Sequence, residues 1–281
     1  MKYYFAILLF FLIQPCCYSQ NNGIISYNLT LNNENKKMTL EFNDTSSICI
    51  YNKEGWDTNY SSYSNSLYND TLGLGIKVSQ YDSIGHVIYR NFNKKNIKIR
   101  QPKVGILDAF TVFDDWIPIK WKHTDDTKII NGYTCKMAIG DFRGRQYIAW
   151  YATELKGGFG PWKLYGLPGI ILEAYDKQNE VRFIVTNISI VDTILNISEP
   201  VETNSKTLKE YVYYLDHTGR LAYKKLKTKE LPKGVRIGNI RKETSVKEVR
   251  EKSLEKIYEW EAIKHIEKKK QINSTISMPK Y

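Results

Sequence analysis

The sequence predicts a mainly β fold, an antiparallel meander curved into an open sheet or half-barrel, followed by a helical C-terminal extension. Three observations predict it. Residues 24–200 read as strands, with a series of short runs rich in Ile, Val, Tyr, Thr and Phe, several of which alternate apolar and polar residues, the pattern of half-buried strands. Polar breaks separate these runs, with no intervening helical pattern of the length a parallel crossover needs. The charge is also uneven. Residues 1–205 hold 21 basic and 20 acidic side chains, whereas residues 206–281 hold 20 and 10, so nearly all of the net charge of +11 lies at the C-terminal end. The chain is therefore divided into residues 1–19, 20–200 and 201–281.

The first segment reads as a signal peptide. Lys2 precedes an apolar run from Tyr3 to Ile13, too short for a membrane span of about 20 residues and suited to the core of an export signal. Pro15 ends any helix there. Small residues permit cleavage after Ser19, leaving Gln20 as the mature N-terminus. The rival reading is acylation of Cys16 or Cys17, although Pro15 or Cys16 stands where a lipobox places a small residue. The expected location is the periplasm or the outer membrane.

Strands are expected at "IISYNLTL", "MTLEF", "SICIYN", "KVSQYD", "HVIYRNF", "NIKIR" and "AFTVF", with "YDSIGHVIY" as a hairpin. Residues 54–75 are polar and Tyr-rich and read as a long loop or insertion. After Pro200, "SKTLKEYVYYLDHTG" predicts a short helix closed by Gly219. "SVKEVREKSLEKIYEWEAIKHIEKKK" predicts one longer helix, with Ser245 and Glu248 at capping-box spacing and an apolar stripe of Val246, Val249, Leu254, Ile257, Tyr258 and Ile263. The last residues, "INSTISMPKY", read as a tail. Cys49 and Cys135 survive signal removal; they could pair in an oxidising envelope or serve as small core residues.

Residues 113–190 carry the most specific pattern. "KIINGYTC" (128–135), "GRQYIAWY" (144–151), Gly160-Pro161 and "GLPGII" (166–171) occur in that order. This resembles the GLPGLI family of secreted Bacteroidota envelope proteins, with Ile170 in place of the Leu of the name. The resemblance implies export and genes near those of TonB-dependent outer-membrane receptors; it brings no established activity. By fold-level analogy the strand–turn–strand order is similar to the open concave sheet of LolA-like lipoprotein carriers. In the motif, Leu167-Pro168-Gly169-Ile170 fits a type II turn, in which Gly169 would take φ above zero. Gly160, Pro161, Gly166, Pro168 and Gly169 are expected to be structural. Trp162, Tyr165 and Leu167 are the expected contact residues of the loop.

Evident catalytic machinery is lacking. No H-E-x-x-H, G-x-S-x-G, Walker or Rossmann pattern occurs, and the four His, at 86, 123, 217 and 265, form no evident metal site. His123 with Asp125 and Asp126 reads as a polar hairpin more readily than as an acid–base cluster, and Cys135 with His123 as core more readily than as a nucleophile and base. Asp114 and Asp115 would face opposite sides of a strand. Arg143 and Arg145 could hold an anion, or pair with Asp141 and Glu154. No cofactor, metal or nucleic acid is expected. The basic C-terminus could meet anionic lipid or lipopolysaccharide, and a solvated lysine face is the plainer reading. The expectation is an envelope binding or accessory protein partnered by an outer-membrane protein such as a TonB-dependent receptor. The alternatives are a LolA-type lipid or lipoprotein carrier and an envelope hydrolase with a pocket on the curved sheet.

Overall fold

The structure is a computed structural model that describes residues 22–53, 55, 81–230, 245–262 and 264, with the backbone of 67–69 and 74–76. The expected signal peptide with Cys16 and Cys17, most of the Tyr-rich stretch 54–75, most of the strand expected over 77–82 and the C-terminal tail lie outside the described residues.

Alternation at the sequence level becomes strands β1 (Gly23–Leu31), β2 (Glu34–Phe42), β3 (Ser46–Tyr51), β6 (His86–Asn91), β7 (Asn96–Gln101) and β8 (Phe110–Asp114). A second meander follows, of β9 (Lys122–Ile130), β10 (Tyr133–Phe142), β11 (Arg145–Ala152), β12 (Ile170–Asp176) and β13 (Val181–Ile190). The stretch between β3 and β6 contributes a separate hairpin, β4 (Leu67–Asn69) and β5 (Leu74–Ile76). A two-residue strand, β14 (Ser205–Lys206), helix α1 (Leu208–Lys227) and helix α2 (Val246–Glu251) complete the described elements. The turns between β1 and β2, β9 and β10, and β10 and β11 place Asn32-Asn33, Asn131-Gly132 and Arg143-Gly144 at positive φ, the backbone that matches the right-handed twist of a hairpin.

The expected open, mainly antiparallel sheet is present. Twelve strands run in the order β14-β8-β7-β6-β3-β2-β1-β13-β12-β11-β10-β9. Pairing of β13 with β1 joins the two meanders, and β14 lies parallel to β8. The curvature follows from distances. β8 and β10 are nine places apart in the sheet, which in a flat sheet would separate them by roughly 40 Å. Yet Arg143, directly after β10, donates to the Asp114 carboxylate at the end of β8 over 2.9 Å. The sheet bends until its two halves meet across a shared interior.

Inward residues of alternate positions line that interior: Ile25, Tyr27 and Leu29 of β1, Met38, Leu40 and Phe42 of β2, Tyr147 and Ala149 of β11. The outer side of β3, β6 and β7 is crossed by residues 191–204. Asn43 donates to the Leu195 carbonyl, and Lys98 and Arg100 pair with Glu199 and Glu202. That strap carries the chain from β13 to the far edge, where β14 forms.

The helices depart from expectation. α1 begins at a Thr207 capping box with Glu210 and continues past Gly219 to Lys227, with a kink at His217. Thr218 Oγ1 donates to the carbonyl of Tyr214, four residues back, a bond that bends helices, and Leu221 and Ala222 beyond Gly219 pack on the core. The single long helix expected from Ser245 instead ends at Glu251. Leu254, Glu255 and Tyr258 turn inward and are buried, and the amides of Lys256 and Ile257 donate to the Arg143 carbonyl rather than within a helix. The charge step near residue 205 thus does not coincide with a gap in packing. Tyr211, Tyr214 and Leu254 belong to the same core cluster as the strands.

Candidate functional site

The β11–β12 connection, residues 153–169, folds into the interior of the sheet. Phe159, Trp162, Lys163, Leu164, Tyr165 and Leu167 are each at most 3 % exposed. The expected contact residues Trp162, Tyr165 and Leu167 are therefore core, not surface. The sheet supplies too few inward side chains to fill its own curvature, and the loop supplies the remainder. Trp162 lies against Phe142 and Tyr147. Phe159 meets Phe42 and Phe92, and Tyr165 meets Phe92 and Trp116.

Every turn of the loop is pinned. Arg90, fully buried, donates to the carbonyls of Leu164 (2.9 Å) and Gly160 (2.7 Å) and to Ser47 Oγ (3.0 Å). Trp121 Nε1 donates to the Tyr165 carbonyl, the Tyr165 hydroxyl to the Ile117 carbonyl and the Tyr27 hydroxyl to the Ile171 carbonyl. Trp162 itself sits at φ 52, a left-handed backbone that costs a bulky residue about 1–2 kcal/mol. Its amide donates to Cys49 Sγ, and burial of the indole offsets the strain.

The type II turn expected at 167–170 is absent. Gly169 is not among the positive-φ residues; Gly166 (φ 91) is. Gly169 is required for a different reason. A Cβ there would lie 2.2 Å from the Ala152 carbonyl oxygen. Pro161 begins the inner turn, where the Leu164 amide donates to its carbonyl, while Pro168 and Gly166 reach the surface. Of the two readings of Cys49 and Cys135, the disulfide does not occur and the core role does. Both thiols are free and buried, and burial pushes each up to about 11.

Behind the loop lies a buried ionic centre that the sequence did not reveal. Lys163 Nζ donates to Asp114 Oδ2 at 2.6 Å and to Glu255. Arg143 bridges Asp114 and Glu259 and lies over the Tyr258 ring at 4.4 Å. Burial drives the Asp114 carboxyl up, but Lys163 and then Arg143 outweigh it and hold it below the usual carboxylate range. Burial keeps Glu259 above its ordinary value, against the pull of Arg143. Arg145 pairs with Asp176 (2.5 Å) and Glu180 and donates to the Ser253 carbonyl. The partners of Arg143 and Arg145 are thus not Asp141 and Glu154. Those two instead accept from Gln146 and from the Thr134 amide. The centre ties β8, the loop and the C-terminal segment together; its charges are spent on one another.

The other residues weighed for chemistry do not assemble. His123 Nδ1 is 3.0 Å from the Tyr151 hydroxyl and stands opposite Ala138, whereas Cys135 stands opposite Lys128 and Ala152. Asp125 and Asp126 are exposed, and Asp115 points away from buried Asp114. Among the described residues, no group of three His, Cys, Asp or Glu could hold a metal ion. No described helix is long and apolar enough to cross a membrane.

One open groove, of about 830 Å³, lies between α1 and the β8–β14 edge. Its floor is Leu107, Phe110, Tyr214 and Leu221, and its rim carries Lys206, Lys209, Lys224 and Lys225. Lys225 crosses it to Asp108. Lys103 and Lys229 add to the field that, after Lys225, holds the Asp108 carboxyl low. Glu210 is occupied by the Thr207 cap. Among the described residues, Lys206, Lys209 and Lys224 have no carboxylate within ion-pair distance.

No family model and no curated protein matches the chain. Among solved structures it is similar to two of PNGF-II, in the P21 and C2 space groups. Each is 16% identical, with a TM-score of 0.46 over 68% of this chain and 32% of that one. The chain spans about a third of the length of those structures, and the likeness says nothing of what it does.

Proposed function

We propose that the chain is an exported, envelope-associated binding or accessory protein of the GLPGLI type, acting beside an outer-membrane protein such as a TonB-dependent receptor. The observation that carries this reading is the filled interior. A LolA-type carrier needs an open apolar concavity, and here Trp162, Tyr165 and Leu167 of the chain's own loop occupy that place. A hydrolase on the curved sheet needs accessible polar groups, and Asp114, Lys163 and Arg143 are buried in ion pairs. The family-like motif serves architecture, and binding is left to the outer surfaces. Export rests on the residues before Gln20.

The test is affinity capture of the tagged full-length chain from native envelopes, with quantitative mass spectrometry and N-terminal sequencing. The expected result is a mature chain beginning at Gln20 and enrichment of an outer-membrane receptor that captures the chain in return. A chain retained in the cytoplasm, or no receptor in either direction, would overturn the reading.

A further inference from the structure

We propose that the groove between α1 and the β8–β14 edge is a binding site for a single-chain anionic amphiphile, such as a fatty acid or a monoalkyl phosphate. The inference rests on the reading of the chain as a binding protein and adds the ligand class.

Two features specify the chemistry together. The floor is apolar, built from Phe110 of β8, Leu107 just before it, and Tyr214 and Leu221 from either side of the α1 kink at His217. Tyr214 and Leu221 are about two helical turns apart and therefore share one face of α1. The rim is cationic. Lys209 and Lys224 are exposed and, among the described residues, have no ion-pair partner, and Lys206 sits 5.0 Å over the Phe110 ring. Unpaired lysines around an apolar floor complement a ligand with an alkyl tail and an anionic head. An inorganic anion would use the lysines alone, and a neutral lipid would leave the lysines unanswered. The volume falls in the range of small-molecule sites, which suits one chain and its headgroup better than a two-chain lipid. The rim charge also draws anions from solution before contact.

Isothermal titration calorimetry of the full-length chain with dodecyl phosphate below its micellar concentration tests this. One site is expected, weakened as salt rises. Dodecyl maltoside, with the same tail and no charge, should bind at least about tenfold more weakly, as should inorganic phosphate. The double variant Lys209→Ala, Lys224→Ala removes two charged contacts and should weaken dodecyl phosphate by about tenfold or more while leaving the melting temperature unchanged. Leu221→Ser should weaken both alkyl ligands. Equal affinity for dodecyl phosphate and dodecyl maltoside, many weak sites in place of one, or an unaffected double variant would overturn the proposal. Receptor capture by the wild-type chain, measured beside its amphiphile binding, separates the two readings. Capture retained while amphiphile binding fails in the wild type sinks only the ligand assignment; capture lost in the wild type sinks the accessory role itself.

Discussion

Gly169→Ala is the sharpest test of how the loop is held. The added Cβ would meet the Ala152 carbonyl oxygen at 2.2 Å, the Ala152 carbonyl carbon at 2.7 Å and Thr153 Cα at 3.0 Å. These are backbone atoms, so no rotamer change relieves the contact. Reaching an ordinary separation means moving the start of β12 off the end of β11 by about 1 Å. That shift strains the Ala152–Ile170 pairing and the Ile170 amide bond to the Leu155 carbonyl, a loss of about 1 kcal/mol. Overpacking of the buried joint adds about 1–3 kcal/mol. The sum, about 2–4 kcal/mol, corresponds to a melting temperature lower by about 4–16 °C for a chain of this size. Gly166→Ala is the internal control. Among the described residues beyond its chain neighbours, a new Cβ there meets nothing nearer than Trp121 Nε1, at 3.9 Å, but φ is 91, so the cost is backbone strain of about 1–2 kcal/mol. Scanning calorimetry of the two variants should rank Gly169→Ala as the more destabilised. The reverse order, or a neutral Gly169→Ala, would refute the account of the motif as a close strand approach.

Trp162→Ala should cost about 3–5 kcal/mol, the usual loss for a truncated core aromatic, and an unchanged melting temperature would show that the indole is not core. Asp114→Asn removes the carboxylate shared by Lys163 and Arg143 and should destabilise by about 3–5 kcal/mol; an unchanged melting temperature would mean that neither cation depends on it. His86 is held down to about 3, by burial first and then by Lys163 and Arg100. The native state therefore refuses a proton that the unfolded chain takes below about pH 6.5, so stability is whole above that value and falls by about 1.4 kcal/mol per pH unit toward pH 3. The slope of melting temperature between pH 6.5 and 4.5 should be shallower in His86→Gln, and an identical slope would clear His86 of the role. Cys49 and Cys135 should resist a thiol reagent in the folded protein and react fully once it is denatured; fast reaction in the native state would contradict their burial.

The sequence by itself determined most of the strands and their antiparallel order, because alternation and polar breaks are local properties that a strand expresses wherever it sits; the hairpin expected over 81–89 is not formed, since β6 pairs with β3 and β7, and the stretch 54–75 read as a loop holds β4 and β5. It also marked the loop at 160–171 as structurally demanding, since Pro and Gly constrain backbone directly. Which constraint each glycine answers was not legible there. Gly169 is needed because Ala152 approaches it, and Ala152 is seventeen residues away in sequence; the positive φ belongs to Gly166 and, against propensity, to Trp162. The burial of Trp162, Tyr165 and Leu167 was equally hidden, because aromatics in a Gly-Pro loop read alike whether the loop faces solvent or folds inward. The tertiary structure decided that by curving the sheet until it needed a filler. It likewise overrode the helical periodicity after Ser245. Lys163 and Arg143, brought together by that curvature, required carboxylates in the interior, and Glu255 and Glu259 could reach them only if the helix ended at Glu251. A buried charge left unpaired costs more than the few hydrogen bonds a longer helix would make.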